Sequence, residues 1–213
     1  MSRADWIAIA VRTLLAWIAL SALGILLAKA LGDSLLPLLE VVIRLVTQDY
    51  APALKLLPEQ HDIQIVLSGL VMRPLHLTES LAIPPGTELT AQTHLLHTLV
   101  PAVIELTAVF AWPVSGWPER LVGILLGIVT AIAVIAVSAP FVLIGTIEIS
   151  LQEWVATSGG QRPEPWALTW MLFCEMGGRW LLAVLAAIAS IQTAKALIAH
   201  RMSKPPKTTS EKA

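Results

Sequence analysis

The sequence predicts a membrane all-α protein with four transmembrane helices and a small extracytoplasmic α/β insert between helices 1 and 2. Three observations carry this. Of 213 residues, 56% are hydrophobic and only 14% charged, too little charge to cover a water-soluble domain of this length. Apolar runs close to the roughly 20 residues needed to cross a bilayer recur four times along the chain. Lys and Arg gather in flanks that four crossings place on one side.

The first run, WIAIAVRTLLAWIALSALGILLAKA, covers residues 6–30, with Arg12 near enough to its end to snorkel. Residues 1–30 are therefore expected to form an N-terminal anchor. Ala28-Lys29-Ala30 has the small-x-small form of a signal cleavage site, but so long an unbroken run favours an uncleaved helix. The second run, 95–112, is short and carries Glu105. The third, 121–147, is the most apolar, and Pro140 is expected to kink or end it. The fourth extends from about Trp166 to Leu197. Together these make a three-helix domain over 95–198, followed by a polar, Lys- and Pro-rich tail, 199–213, expected to be disordered.

Arg3 and Arg12 at the first span, Arg120 in the WPVSGWPER turn, and Lys195, Arg201, Lys204, Lys207 and Lys212 around the last all fall on one side, which the positive-inside rule makes cytoplasmic. Both termini are then cytoplasmic, and 31–94 faces outward. Eight tryptophans against three phenylalanines and one tyrosine suit a chain with two water–lipid boundaries. A net charge of −1 offers no basic surface for nucleic acid, and a single cysteine excludes an intrachain disulfide.

Within the insert, SLLPLLEVVIRLVTQDY has apolar residues at helical spacing, after which Pro52 and Pro58 break the pattern. HDIQIVLSGL, LHLTESLAI and, after the PPG turn, TELTAQ read as strands, giving a surface helix and a sheet of two or three strands. EISLQEWV reads as a separate interfacial piece, and SGGQRPEP as a flexible turn.

Polar residues inside apolar helices are the candidate functional positions. Glu105 is an ionisable group within a span and needs a pair, a proton or water. His94, His97, Pro101 and Glu105 share one helical stripe, so a proton path begins there, or a metal site in which His61 and His76 join His94 and His97. His97 and Glu105 lie about 12 Å apart along the axis, too far to share one ion. The weighed outcome is a Glu105 hydrogen-bonded within the bundle, with no metal and no cofactor.

MLFCEMGGRW, 171–180, brings together the only cysteine, an acid and an arginine. Glu175 and Arg179 have the favourable i, i+4 order for an intrahelical pair, and Gly177 and Gly178 between them offer a face for helix approach. Glu105 or Glu175 is expected to neutralise Arg179. In a regular helix Arg179 lies about 140° around from Cys174, and no histidine stands within a turn, so the thiol lacks an activating partner. The expectation is that no residue is catalytic. Gly123 and Gly127, in GILLG, form a second small-residue packing face.

The run LVPAVIELTAVFAWPVSGWPERLVGILLGIVTAIAVI resembles the central hairpin of exosortases, multi-pass bacterial enzymes that process C-terminal sorting tails. With the amphipathic piece and β-like insert before it, residues 35–190 look more like the small accessory membrane proteins associated with exosortases, particularly exosortase H. The hairpin start, THLLHTLVP, lacks the nucleophilic cysteine of the enzymes. Its far end, AVSAPFVLIG, lacks their Asn and Arg, and Cys174 comes too late in the chain. The resemblance thus implies a non-catalytic partner of a sorting enzyme or its substrate in the bacterial inner membrane. Two alternatives stand beside it: a membrane-embedded cysteine transpeptidase or protease using Cys174, and a small proton or solute transport subunit using Glu105 and Arg179.

Overall fold

The computed structural model describes residues 3–59, 62–78, 81–114 and 116–203. The chain is mostly helical, with a small sheet region. Three stretches are long and apolar enough to cross a membrane: Asp5–Leu26, Trp117–Thr157 and Trp166–Arg201. A fourth apolar helix, Leu95–Ala111, is shorter, at 17 residues.

Helix α1, Arg3–Leu26, ends four residues before the predicted anchor does, and Ala28 already opens α2, Ala28–Val46. Ala28-Lys29-Ala30 is therefore the first turn of a second helix. Helix α2 is amphipathic, burying Leu35, Leu39 and Ile43 along one stripe and placing the Lys29–Asp33 and Glu40–Arg44 pairs in water. Leu39 and Ile43 are fully buried, a burial that contributes about 1.5–3 kcal/mol for each side chain.

Strands β1 (Tyr50–Pro58), β2 (Ile63–Val71) and β5 (Glu88–His94) form an antiparallel sheet in the order β1-β2-β5. The prolines expected to break the chain lie inside β1 instead. They stand six residues apart and so share one side of the strand, and β1 is an edge of its sheet. A proline is tolerated where its missing N–H points off the ladder, and two of them leave little for a foreign strand to pair with. LHLTESLAI is not one strand: its ends form a two-residue ladder, β3 (Leu75–His76) with β4 (Ala82–Ile83). In the main sheet Tyr50, Leu54, Leu67 and Ala91 face inward, while Lys55, Thr90 and Gln92 face outward. Gly69 stands opposite Pro52, and the Tyr50 ring lies over it so closely that a Cβ there would meet Cδ2 at 2.6 Å.

Helix α3, Leu95–Ala111, follows β5 without a loop. Helix α4, Trp117–Thr157, runs 41 residues, about 60 Å at the standard rise. It passes through Pro140 unbroken, so EISLQEWV is its last turns and not a separate piece. Between Ser138 and Gly145 the helix is buried on every side. The Trp170 indole donates to the Val137 carbonyl at 2.7 Å, three residues before Pro140, where the proline disturbs the carbonyl ladder. The SGGQRPEP turn is tied down: Arg162 pairs with Glu148 at 2.6 Å, with both side chains largely buried, and Gln152 Nε2 donates to the Pro163 carbonyl at 3.2 Å. Helices α5 (Trp166–Phe173) and α6 (Arg179–Ser203) are joined by one π-helical turn, Cys174–Gly178.

One core cluster joins α2, the sheet, α3, α4 and α5, from Leu39 and Ile43 through Ile65, Leu67 and Leu95 to Leu143, Ile147 and Ala167. The sheet therefore shares a core with the helices.

Candidate functional site

Two small-residue stripes meet α3 midway along the helices. On α4 they are Gly123, Gly127 and Thr130, at i, i+4 and i+7. On α6, Ala183, Ala187, Ser190 and Ala194 repeat that spacing, and all four are buried. The third element is α3. A Cβ on Gly127 would meet Val109 Cγ2 at 3.2 Å and Leu106 Cδ2 at 3.4 Å, and one on Gly123 would meet Ala194 Cβ at 3.8 Å. The two glycines thus bring α3 and α6 onto α4.

Glu105 points into this junction with no solvent exposure. Its Oε1 is in hydrogen-bond contact with the Thr130 hydroxyl, which also lies 2.8 Å from Ser190 Oγ. One polar cluster therefore links α3, α4 and α6. Glu105 is not the partner of Arg179; among the described residues it enters no ion pair. Thr130 and Ser190 went unnoticed in the sequence, although each extends a small-residue stripe at helical spacing.

Arg179 takes Glu175 as its ion-pair partner and is itself buried, while the Glu175 side chain is 42% exposed. The π turn changes the geometry expected of a regular helix. Gly177 has φ +107°, and the Arg179 Nε donates to the Cys174 carbonyl at 3.2 Å. Gly177 leaves the helical region, so the helix kinks there and main-chain acceptors fall short of partners; the guanidinium fills one. Gly177 and Gly178 are not a helix-approach face. The Phe173 ring from the same chain occupies the space where a Gly178 Cβ would go, and the Gly177 position borders an open apolar groove with Phe173, Met176 and Leu181.

Cys174 is fully buried among Val142, Leu168 and Met171, with Trp170 packed against the cluster. Its carbonyl accepts from the arginine, and its thiol lies within electrostatic range of both Arg179 and Glu175.

The histidines separate. His76 lies on the small β3–β4 ladder. His94 closes β5, with its Nδ1 2.9 Å from Asp62 Oδ2. His97, in the first turn of α3, is exposed and within electrostatic range of Arg179 and Glu175. His61 lies outside the described residues. Among the described residues no three His, Cys, Asp or Glu side chains come close enough to hold a metal ion.

An apolar cavity of about 340 Å³ lies between α1, α3 and α4, beside the contact of Gly24 with Val103, and is lined by Leu20, Leu23, Leu99, Leu106 and Ile132 among others. Helix α1 is exposed along its whole apolar length. Comparison with known proteins finds no match for this chain among family models, curated proteins or solved structures.

Proposed function

We propose that the chain is a non-catalytic accessory protein of the bacterial inner membrane, working beside an exosortase-like sorting enzyme or its substrate. The observation that carries the non-catalytic part is the sealed thiol: Cys174 has no solvent exposure and packs in a cluster with Val142, Leu168 and Met171. A nucleophile needs a path for its substrate to reach the sulfur, and a fully buried thiol offers none. The accessory part rests on the exosortase-like hairpin layout around WPVSGWPER, the chain's own likeness to the small proteins that accompany those enzymes.

In this reading α1, α3, α4 and α5–α6 cross the membrane four times with both termini inside. Helix α3, about 25 Å long, is a short span, and its flanks lengthen it. At about 60 Å, α4 is twice as long as the bilayer is thick, so its last turns project outward and carry the sheet. The outward face of the sheet, with Lys55, Thr90 and Gln92, is then the recognition surface. The test is co-expression with an exosortase-like enzyme and its tail substrate, with a photocrosslinker at Thr90 or Gln92. We expect a specific crosslink to enzyme or substrate, and full sorting activity with Cys174→Ala. Lost activity in correctly folded Cys174→Ala overturns the non-catalytic reading, and the absence of a crosslink from either position overturns the accessory one.

A further inference from the structure

We propose that Glu105, Thr130 and Ser190 form an intramembrane proton-binding site, in which Glu105 is held as the neutral acid and donates its proton to Thr130. This is independent of the sorting role.

The argument begins with hydrogens. A threonine hydroxyl has one hydrogen and two lone pairs. Thr130 Oγ1 has four oxygen neighbours: Glu105 Oε1, Ser190 Oγ at 2.8 Å, and the Leu126 and Gly127 carbonyls at 2.8 and 3.3 Å. Thr130 can give its hydrogen to the Glu105 carboxyl or down its own helix; carbonyls only accept, so in the neutral-acid arrangement it goes to Leu126, with Gly127 sharing it. Its two lone pairs are left for Ser190 and Glu105. Each of those contacts then needs a hydrogen from the other side. Ser190 has one; Glu105 has one only if protonated.

The second carboxyl oxygen agrees. Glu105 Oε2 is buried with no hydrogen-bond partner among the described residues. Half of a carboxylate charge left bare in an apolar bundle is strongly disfavoured, whereas the carbonyl oxygen of a neutral acid is tolerated far better. Among the described residues no cation is paired with Glu105. Arg179 is taken by Glu175, and the Lys195 ammonium lies over the Trp112 ring, 5.3 Å from its centroid and about two turns further along α3. Glu148 is paired with Arg162. Glu119 and Arg120 open α4, about 15 Å along its axis from Thr130. Arg12 stands about 18 Å along α1 from Gly24, where α1 reaches Val103.

Infrared spectroscopy of the full chain in liposomes at neutral pH reads the site directly. We expect a carboxylic-acid carbonyl band that moves to lower frequency in D₂O and is lost in Glu105→Gln. Thr130→Val, which removes the acceptor, should shift it upward, and this variant serves if Glu105→Gln fails to fold. A wild-type spectrum with no such band overturns the proposal, as does a band that survives Glu105→Gln or ignores Thr130→Val. A band abolished by Na⁺ but not by K⁺ also overturns it, by showing that the oxygens hold a metal cation in place of the proton.

Discussion

Gly177 is the residue on which the α5–α6 junction turns. Its φ of +107° is strained for any L side chain, so the π turn and the arginine seated on the Cys174 carbonyl depend on a glycine there. Gly177→Ala should lower stability by about 1–2 kcal/mol, read as a fall in thermal midpoint in detergent. Gly178→Ala should cost about 1–3 kcal/mol for a different reason, because its Cβ runs into the Phe173 ring. If both variants melt with the wild type, the junction is not built as described. The sequence made Glu175–Arg179 legible because i, i+4 pairing is a local rule. It hid the arginine–carbonyl contact because the 100° step that separates Arg179 from Cys174 fails where the helix takes a π turn. Glu105 was conspicuous as an acid in an apolar run, whereas Thr130 and Ser190 acquire meaning only when three helices meet.

At the scale of elements, helices whose apolar residues repeat every three or four positions were read closely, α3 almost to its ends. Errors fell where one residue type carries two meanings. Proline breaks a central strand but suits an edge, so β1 was missed. Proline also kinks or ends an exposed helix but persists in one buried on all sides, so α4 continues through Pro140 and ten residues beyond the 147 at which the apolar run ends. The strand that was missed carries its own pH dependence. Tyr50, at the start of β1, is buried against β2, and desolvation first, then the Glu148 carboxylate, pushes its phenol above the usual range. Below about pH 10 the phenol is neutral in both folded and unfolded chains and contributes nothing. As pH rises through that value the unfolded chain loses the proton more readily, so stability falls, by up to about 1.4 kcal/mol per pH unit. Denaturant titrations across this range should show that slope in the wild type and lose it in Tyr50→Phe. An equal slope in both would mean that Tyr50 titrates alike in the two states.

For the whole molecule, the shared core has a consequence for topology. A sheet joined to α2, α3 and α4 through Leu39, Ile65, Leu95 and Leu143 cannot swing to the other face of the bilayer without breaking that core. In the four-span reading proposed above, the sheet takes the side that the helices set, and Arg120 with the basic residues around the end of α6 puts that side outside. Single cysteines in a Cys174→Ala background test this in intact cells. Cysteines replacing Glu88 and Thr90, at the exposed end of β5, should react with a membrane-impermeant maleimide added outside. A cysteine replacing Arg120 or Lys207 should react only after the cells are opened. Labelling of both groups from one side would leave an even number of crossings between them and demote α3 from a span to a helix packed at the surface. Labelling with the sides exchanged would keep four spans and invert them, placing the sheet in the cytoplasm. Wild-type Cys174 supplies the control: sealed by Val142, Leu168 and Met171, it should stay unlabelled on either side until the bundle is denatured.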